Sequence, residues 1–112
     1  MKIVNVSEAP LAQNPHGVEV RALHNSEHVT LSLVTLQPGE RLKRHITPVD
    51  AVFYVLEGQA TVQVGEERAL VAAHHLVDSP ARIPHCVLNE GESTVRFLVI
   101  KAPRQSEQTQ VL

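Results

Sequence analysis

Tryptophan is absent from this 112-residue chain, and cysteine and net charge are nearly so. Its one cysteine, Cys86, has no partner within the chain, so no internal disulfide frames the fold. Acidic and basic residues nearly cancel, leaving a net charge of -2, and the basic ones are dispersed. The electrostatic footprint that draws DNA or RNA phosphates is therefore absent. No stretch approaches the roughly 20 apolar residues of a membrane-spanning helix. The opening Met1-Lys2-Ile3-Val4-Asn5-Val6 is too short and too polar for a secretory h-region. A soluble protein of the cytoplasm is expected, with neither nucleic acid nor membrane as partner. No Gly-rich phosphate loop, Ser/His/Asp ordering or nucleophile elbow occurs either.

Aromatics are scarce as well: Phe53, Tyr54 and Phe97 are the whole set. Because 43% of the residues are hydrophobic, the core must be filled by Val, Leu, Ile and Ala. The β-branched residues among these suit a pleated, half-buried surface, which tilts the chain towards strands. Its length allows one ordinary core and no second one, so residues 1–112 are expected to form a single domain.

Short apolar runs separated by turn residues dominate, the pattern of an antiparallel sandwich or barrel. Val18 to His24 and His28 to Leu36 read as a hairpin, followed by a Gln37-Pro38-Gly39-Glu40 turn in which proline and glycine supply the two central conformations. Leu42 to Thr47, Ala51 to Leu56, Gln59 to Val64, Arg68 to Ala73, His85 to Leu88 and Thr94 to Lys101 follow, and the chain as a whole reads as about nine or ten strands. The residues from Pro103 onward are polar and are expected to fray or to pack on a neighbour. Side chains two apart share a strand face. Ala51, Phe53 and Val55 therefore form one apolar face and Val52, Tyr54 and Leu56 another, and the second asks for cover from a sheet or a second subunit. By the same parity Arg41, Lys43 and His45 point together, which would either bring two positive charges near a pocket and favour an anionic ligand such as a carboxylate or, the preferred reading, leave them on a solvated strand end.

The stretch from Pro38 through His45, Thr47 and Ala51 to Phe53-Tyr54-Val55-Leu56-Glu57-Gly58 resembles the first motif of the cupin superfamily. That motif is glycine, five residues, His-x-His, three or four residues, glutamate, six residues, glycine. His74 to Asn89 is similar to the second motif, with Pro80, His85 and Asn89 in register. The resemblance runs from about Leu33 to Pro103, leaving a polar tail at 104–112. It implies an all-β fold, the RmlC-like double-stranded β-helix or jelly roll of two packed antiparallel sheets, and it implies a homodimer.

Such proteins usually hold a metal on three histidines and one glutamate. Here His45 and His85 match the first and last histidines, while Thr47 replaces the second histidine and Ala51 the glutamate. His74 and Arg82 stand at two glycine positions of the second motif. Two imidazoles fall short of the three protein ligands of an ordinary catalytic site. Asp50, His24, His28, His74 and His75 are the candidates for a third, none carried by a motif. Cys86 should face away from His85 and be buried as a small apolar group.

Three readings follow. The leading one is a small-molecule-binding cupin whose site comprises His45, Thr47, Ala51, Phe53, Val55, His85 and Phe97. A second is a dioxygenase, isomerase or decarboxylase using a divalent iron, manganese, nickel or zinc ion on His45 and His85. A third is a non-catalytic dimeric module. Fold alone does not choose among them.

Overall fold

The computed structural model describes residues 1–112. Apart from one 3₁₀ turn at Val6–Glu8, every regular element is a strand. In chain order these are β1 (Glu19–Asn25), β2 (Thr30–Leu36), β3 (Arg41–Ile46), β4 (Asp50–Glu57), β5 (Gln59–Val64), β6 (Glu67–Ala72), β7 (Leu76–Ser79), β8 (His85–Leu88), β9 (Val95–Ala102) and β10 (Gln110–Val111). They form two five-stranded antiparallel sheets, ordered β1-β2-β9-β4-β7 and β10-β3-β8-β5-β6. The all-β jelly roll expected from the sequence is the architecture observed.

Alternation builds the core. On β4 the face of Ala51, Phe53 and Val55 is buried, Val52 and Tyr54 are half-buried and Leu56 is exposed. On β9 the inward row is Val95, Phe97 and Val99. These meet Leu42, Ala60, Val62 and Val87 from the other sheet, with the rings of Phe53 and Phe97 edge to face at a centroid distance of 6.0 Å. No helix is long and apolar enough to cross a membrane.

Three local features depart from the sequence expectations. The first is a register shift in β3 between Leu42 and His45. Both are buried although they are three apart, while Arg41, Lys43 and Arg44 are exposed. A bulge inserts a residue and breaks strict alternation, so the shared parity assigned to Arg41, Lys43 and His45 does not hold and the two charges stay in solvent. The second is the tail, which was expected to fray or pack on a neighbour. It returns to the fold as β10, pairing Gln110 with Ile46 and Val111 with His45. The third is β7, which has no apolar alternation to announce it, since Leu76 and Asp78 are both exposed. It exists because β4 supplies a hydrogen-bonding edge.

His74 and Arg82, the residues standing at the two glycine positions, both keep a glycine-like backbone, with φ of 70° and 66°. Left-handed φ costs a side-chain-bearing residue about 1–2 kcal/mol. Arg82→Gly is therefore expected to raise stability by about 0.5–1 kcal/mol, after allowing for the greater chain entropy of unfolded glycine. The exposed Arg82–Glu107 pair that is lost contributes little, since both side chains are about two-thirds exposed. The midpoint of urea denaturation is the measurement, and a lower midpoint in the glycine variant contradicts it.

Candidate functional site

The β3 bulge turns His45 inward, where it faces His85 as its direct partner across the β3–β8 ladder. His45 is 5% exposed and His85 2%. Four hydrogen bonds assign the protons. His45 Nδ1 bonds the Lys43 carbonyl, which can only accept, so Nδ1 donates and His45 Nε2 offers a lone pair. His85 Nε2 lies 2.9 Å from that nitrogen and 3.2 Å from Thr47 Oγ1, so it is the donor. His85 Nδ1 is then an acceptor, and it takes the hydroxyl proton of Ser79 from the end of β7 in the opposite sheet. The result is a one-directional chain from Ser79 through His85 and His45 to the Lys43 carbonyl, each link defining the tautomer of the next.

His16 extends this cluster from the loop before β1. Its ring packs on that of His45 at a centroid distance of 4.8 Å, and its Nδ1 accepts from the backbone N–H of Lys43 at 2.8 Å. Phe53 meets the His85 ring in a T-shaped contact, with centroids 5.2 Å apart.

Burial keeps the imidazoles neutral. It lowers His85 to a pKa of about 3 and His16 to about 4, with neighbouring histidines and Lys101 adding to the effect. His45 is lowered by burial as well, in part offset by its bond to Lys43. Lys101 is also pulled down by burial. At neutral pH the imidazoles act as hydrogen-bonding groups, and the basic side chain that lines the cavity with them is Lys101.

These groups open onto a cavity of about 270 Å³. Its apolar wall includes Val20, Val34, Leu42, Phe53 and Val99, and its polar lining includes His16, Thr30, Ser32, His45, His85, Lys101, Gln105 and Thr109. Of the site residues expected from sequence, His45, Ala51, Phe53 and His85 line this cavity. Thr47 lies behind it, 1% exposed, where it holds His85. Val55 and Phe97 belong to the packed core and are not part of the lining, because their strands carry them deeper between the sheets.

His16, Thr30, Ser32, Ser79, Lys101, Gln105 and Thr109 were not among the site residues expected from sequence. Lys101 was legible in principle, since it continues the inward row Val95, Phe97, Val99 at the end of β9. Gln105 and Thr109 arrive only because the tail folds back over the barrel.

The candidates for a third metal ligand go elsewhere. His24, His28, His74 and His75 are exposed, and the Asp50 carboxylate accepts the N–H of Ala81 at 2.9 Å. No group of three or more His, Cys, Asp or Glu is arranged to hold an ion. With Thr47 and Ala51 in place of donors and His16 Nδ1 engaged by backbone, the residues present do not fit a three-histidine, one-glutamate centre. Cys86 points away from the cavity, is buried, and burial pushes its thiol pKa up.

Comparison with known proteins accords with this architecture. No curated protein matches the chain. TT1209 from Thermus thermophilus is 39% identical, over 93% of this chain and 99% of its own, with a TM-score of 0.80. The polyketide cyclase RemF from Streptomyces resistomycificus is 19% identical over 100% of this chain and 85% of its own, with a TM-score of 0.85. A predicted oxalate decarboxylase from Thermotoga maritima is 18% identical over 92% and 100%, with a TM-score of 0.81. These last two share the fold alone. The family model described as a cupin domain matches residues 32–101, and the chain belongs to the cupin family.

Proposed function

We propose that this cupin binds a small organic molecule in the cavity beside His45 and His85. The observation that carries this reading is the convergence of a few placed polar groups on one mostly apolar cavity, the usual build of a small-molecule site. The volume, about 270 Å³, sits at the lower edge of the ~300–1,000 Å³ typical of such sites, so the ligand is small. His45 and His85, their ring nitrogens paired with one another and with Lys43, Ser79 and Thr47, present fixed ring faces and edges to it. The metal-dependent alternative lacks the observation it needs, a third donor beside the two imidazoles.

The test is a fragment titration followed by backbone amide NMR, using benzyl alcohol, benzamide, benzoate and benzylamine. At least one probe is expected to shift the amides of Thr30, Ala51 and Val99 at millimolar concentration. Those shifts should vanish in Ser32→Phe, whose ring fills the cavity from β2, provided its spectrum stays dispersed. If all four probes leave the cavity amides unmoved in the unaltered protein, the reading is wrong.

A further inference from the structure

The cavity is lined by one basic side chain, Lys101, and by no acidic group to balance it. Lys101 lies on β9, where its partners across the sheet are Thr30 on β2 and Ala51 on β4. No Asp or Glu lines the cavity. Lys101 takes part in none of the ion pairs of the molecule. Its ammonium donates instead to the neutral side chain of Gln105, at 3.0 Å from Oε1. Gln105 is in turn held by its own bonds to the Glu107 carbonyl and Thr109 Oγ1, so this contact belongs to an ordered segment of the tail. On the opposite strand Ala51 offers only a methyl group.

A half-buried ammonium has lost hydration, and a hydrogen bond to an amide restores only part of it. A ligand that brings its own negative charge restores the rest through a charge-assisted hydrogen bond. The surrounding imidazoles, being neutral, do not compete for that charge, and His16, whose Nδ1 accepts from the Lys43 N–H, keeps its Nε2–H as a donor.

We propose that the cavity is specific for a small monocarboxylate, its anionic head paired with Lys101 and its apolar body against Phe53, Val34 and Val99. This rests on the small-molecule reading above and names the class of ligand. One fixed cation balances one negative charge. The lining contains neither a glycine nor a helix N-terminus, the usual devices for cradling a phosphate dianion. The bulk of the lining around Phe53 favours a carboxylate with a compact hydrocarbon body over a purely polar one.

The probes are benzoate and its neutral, nearly isosteric amide, benzamide, titrated in the presence of EDTA by calorimetry and amide NMR. Benzoate is expected to bind at least tenfold more tightly than benzamide. Lys101→Met keeps the length of the side chain and removes the charge; it should weaken benzoate about tenfold or more and leave benzamide within twofold. Ala51→Glu supplies an internal partner for Lys101 from the opposite strand and should weaken benzoate to a similar degree, even if the Met variant proves too unstable to study. Equal binding of the two probes, or benzoate affinity unchanged in a folded variant, overturns the carboxylate assignment while leaving the small-molecule reading standing. Absence of cavity shifts with either probe overturns both.

Discussion

Acidifying this protein from pH 6.5 to pH 4 is expected to remove about 3 kcal/mol of folding stability through His85 alone. In an unfolded chain this imidazole titrates near 6.5, whereas in the fold burial holds its pKa at about 3. Between those values the unfolded state binds a proton that the folded state refuses. The contribution is fully present above pH 6.5 and is lost as the pH falls towards 3, at about 1.4 kcal/mol per pH unit for one proton. His85 is 2% exposed and each ring nitrogen is already committed, Nδ1 to Ser79 and Nε2 to His45 and Thr47. Protonating it would put two donors where Ser79 supplies one already, next to a second imidazole and Lys101. Other groups titrate in the same range, so the comparison with His85→Gln is what isolates the effect. Urea midpoints measured at half-unit steps should show a pH slope smaller by nearly one proton in the glutamine variant. Parallel slopes would mean that His85 is not the group refusing the proton.

Replacing Gly58 by alanine is expected to destabilise the fold by about 2–4 kcal/mol, a larger effect than any surface substitution. Gly58 turns β4 into β5 with φ of +77°. A Cβ there would lie 2.5 Å from the Thr94 carbonyl oxygen and 3.3 Å from Val95 Cα. Backbone atoms cannot swing aside as a side chain can, and Val95 begins β9, the strand paired with both β2 and β4. The left-handed conformation adds about 1–2 kcal/mol of its own. Gly39, also at positive φ but with no heavy atom near its missing Cβ, is the control: Gly39→Ala should lose only the conformational part. Thermal or urea denaturation of the two variants measures the difference. Equal losses would show that the turn, and not the close approach to Thr94, sets the requirement.

Much of this was legible in the sequence because strand periodicity and turn chemistry are local. The Pro38-Gly39 turn, the alternating Ala51-Phe53-Val55 face and the Glu57-Gly58 step each depend on a few neighbouring residues, and together they marked the all-β fold. The spacing of His45, Pro80, His85 and Asn89 carried the family resemblance. Asn89 makes the physical basis clear. It is 2% exposed and donates to the carbonyls of Leu36 and Ser93 while accepting from the Gly91 N–H, so its position is demanded by the turn it ties together. The absence of second-histidine and glutamate donors at Thr47 and Ala51 was equally plain, because it is a matter of identity alone.

What the linear pattern could not decide was set by contacts between residues far apart in the chain. A bulge in β3, fixed by its pairing with β8, removed Arg41 and Lys43 from the cavity and turned His45 towards His85. The loop before β1 brought His16 onto His45, and the tail closed back through β10 to deliver Gln105 and Thr109. Sequence by itself determined most of the strands and which metal donors are missing, since both follow from residue type and short-range spacing, whereas β7 and β10 exist because β4 and β3 offer edges to pair with. Only the tertiary structure decided which charge faces the cavity, because a one-residue register shift or a returning tail changes which side chains meet without changing any local pattern.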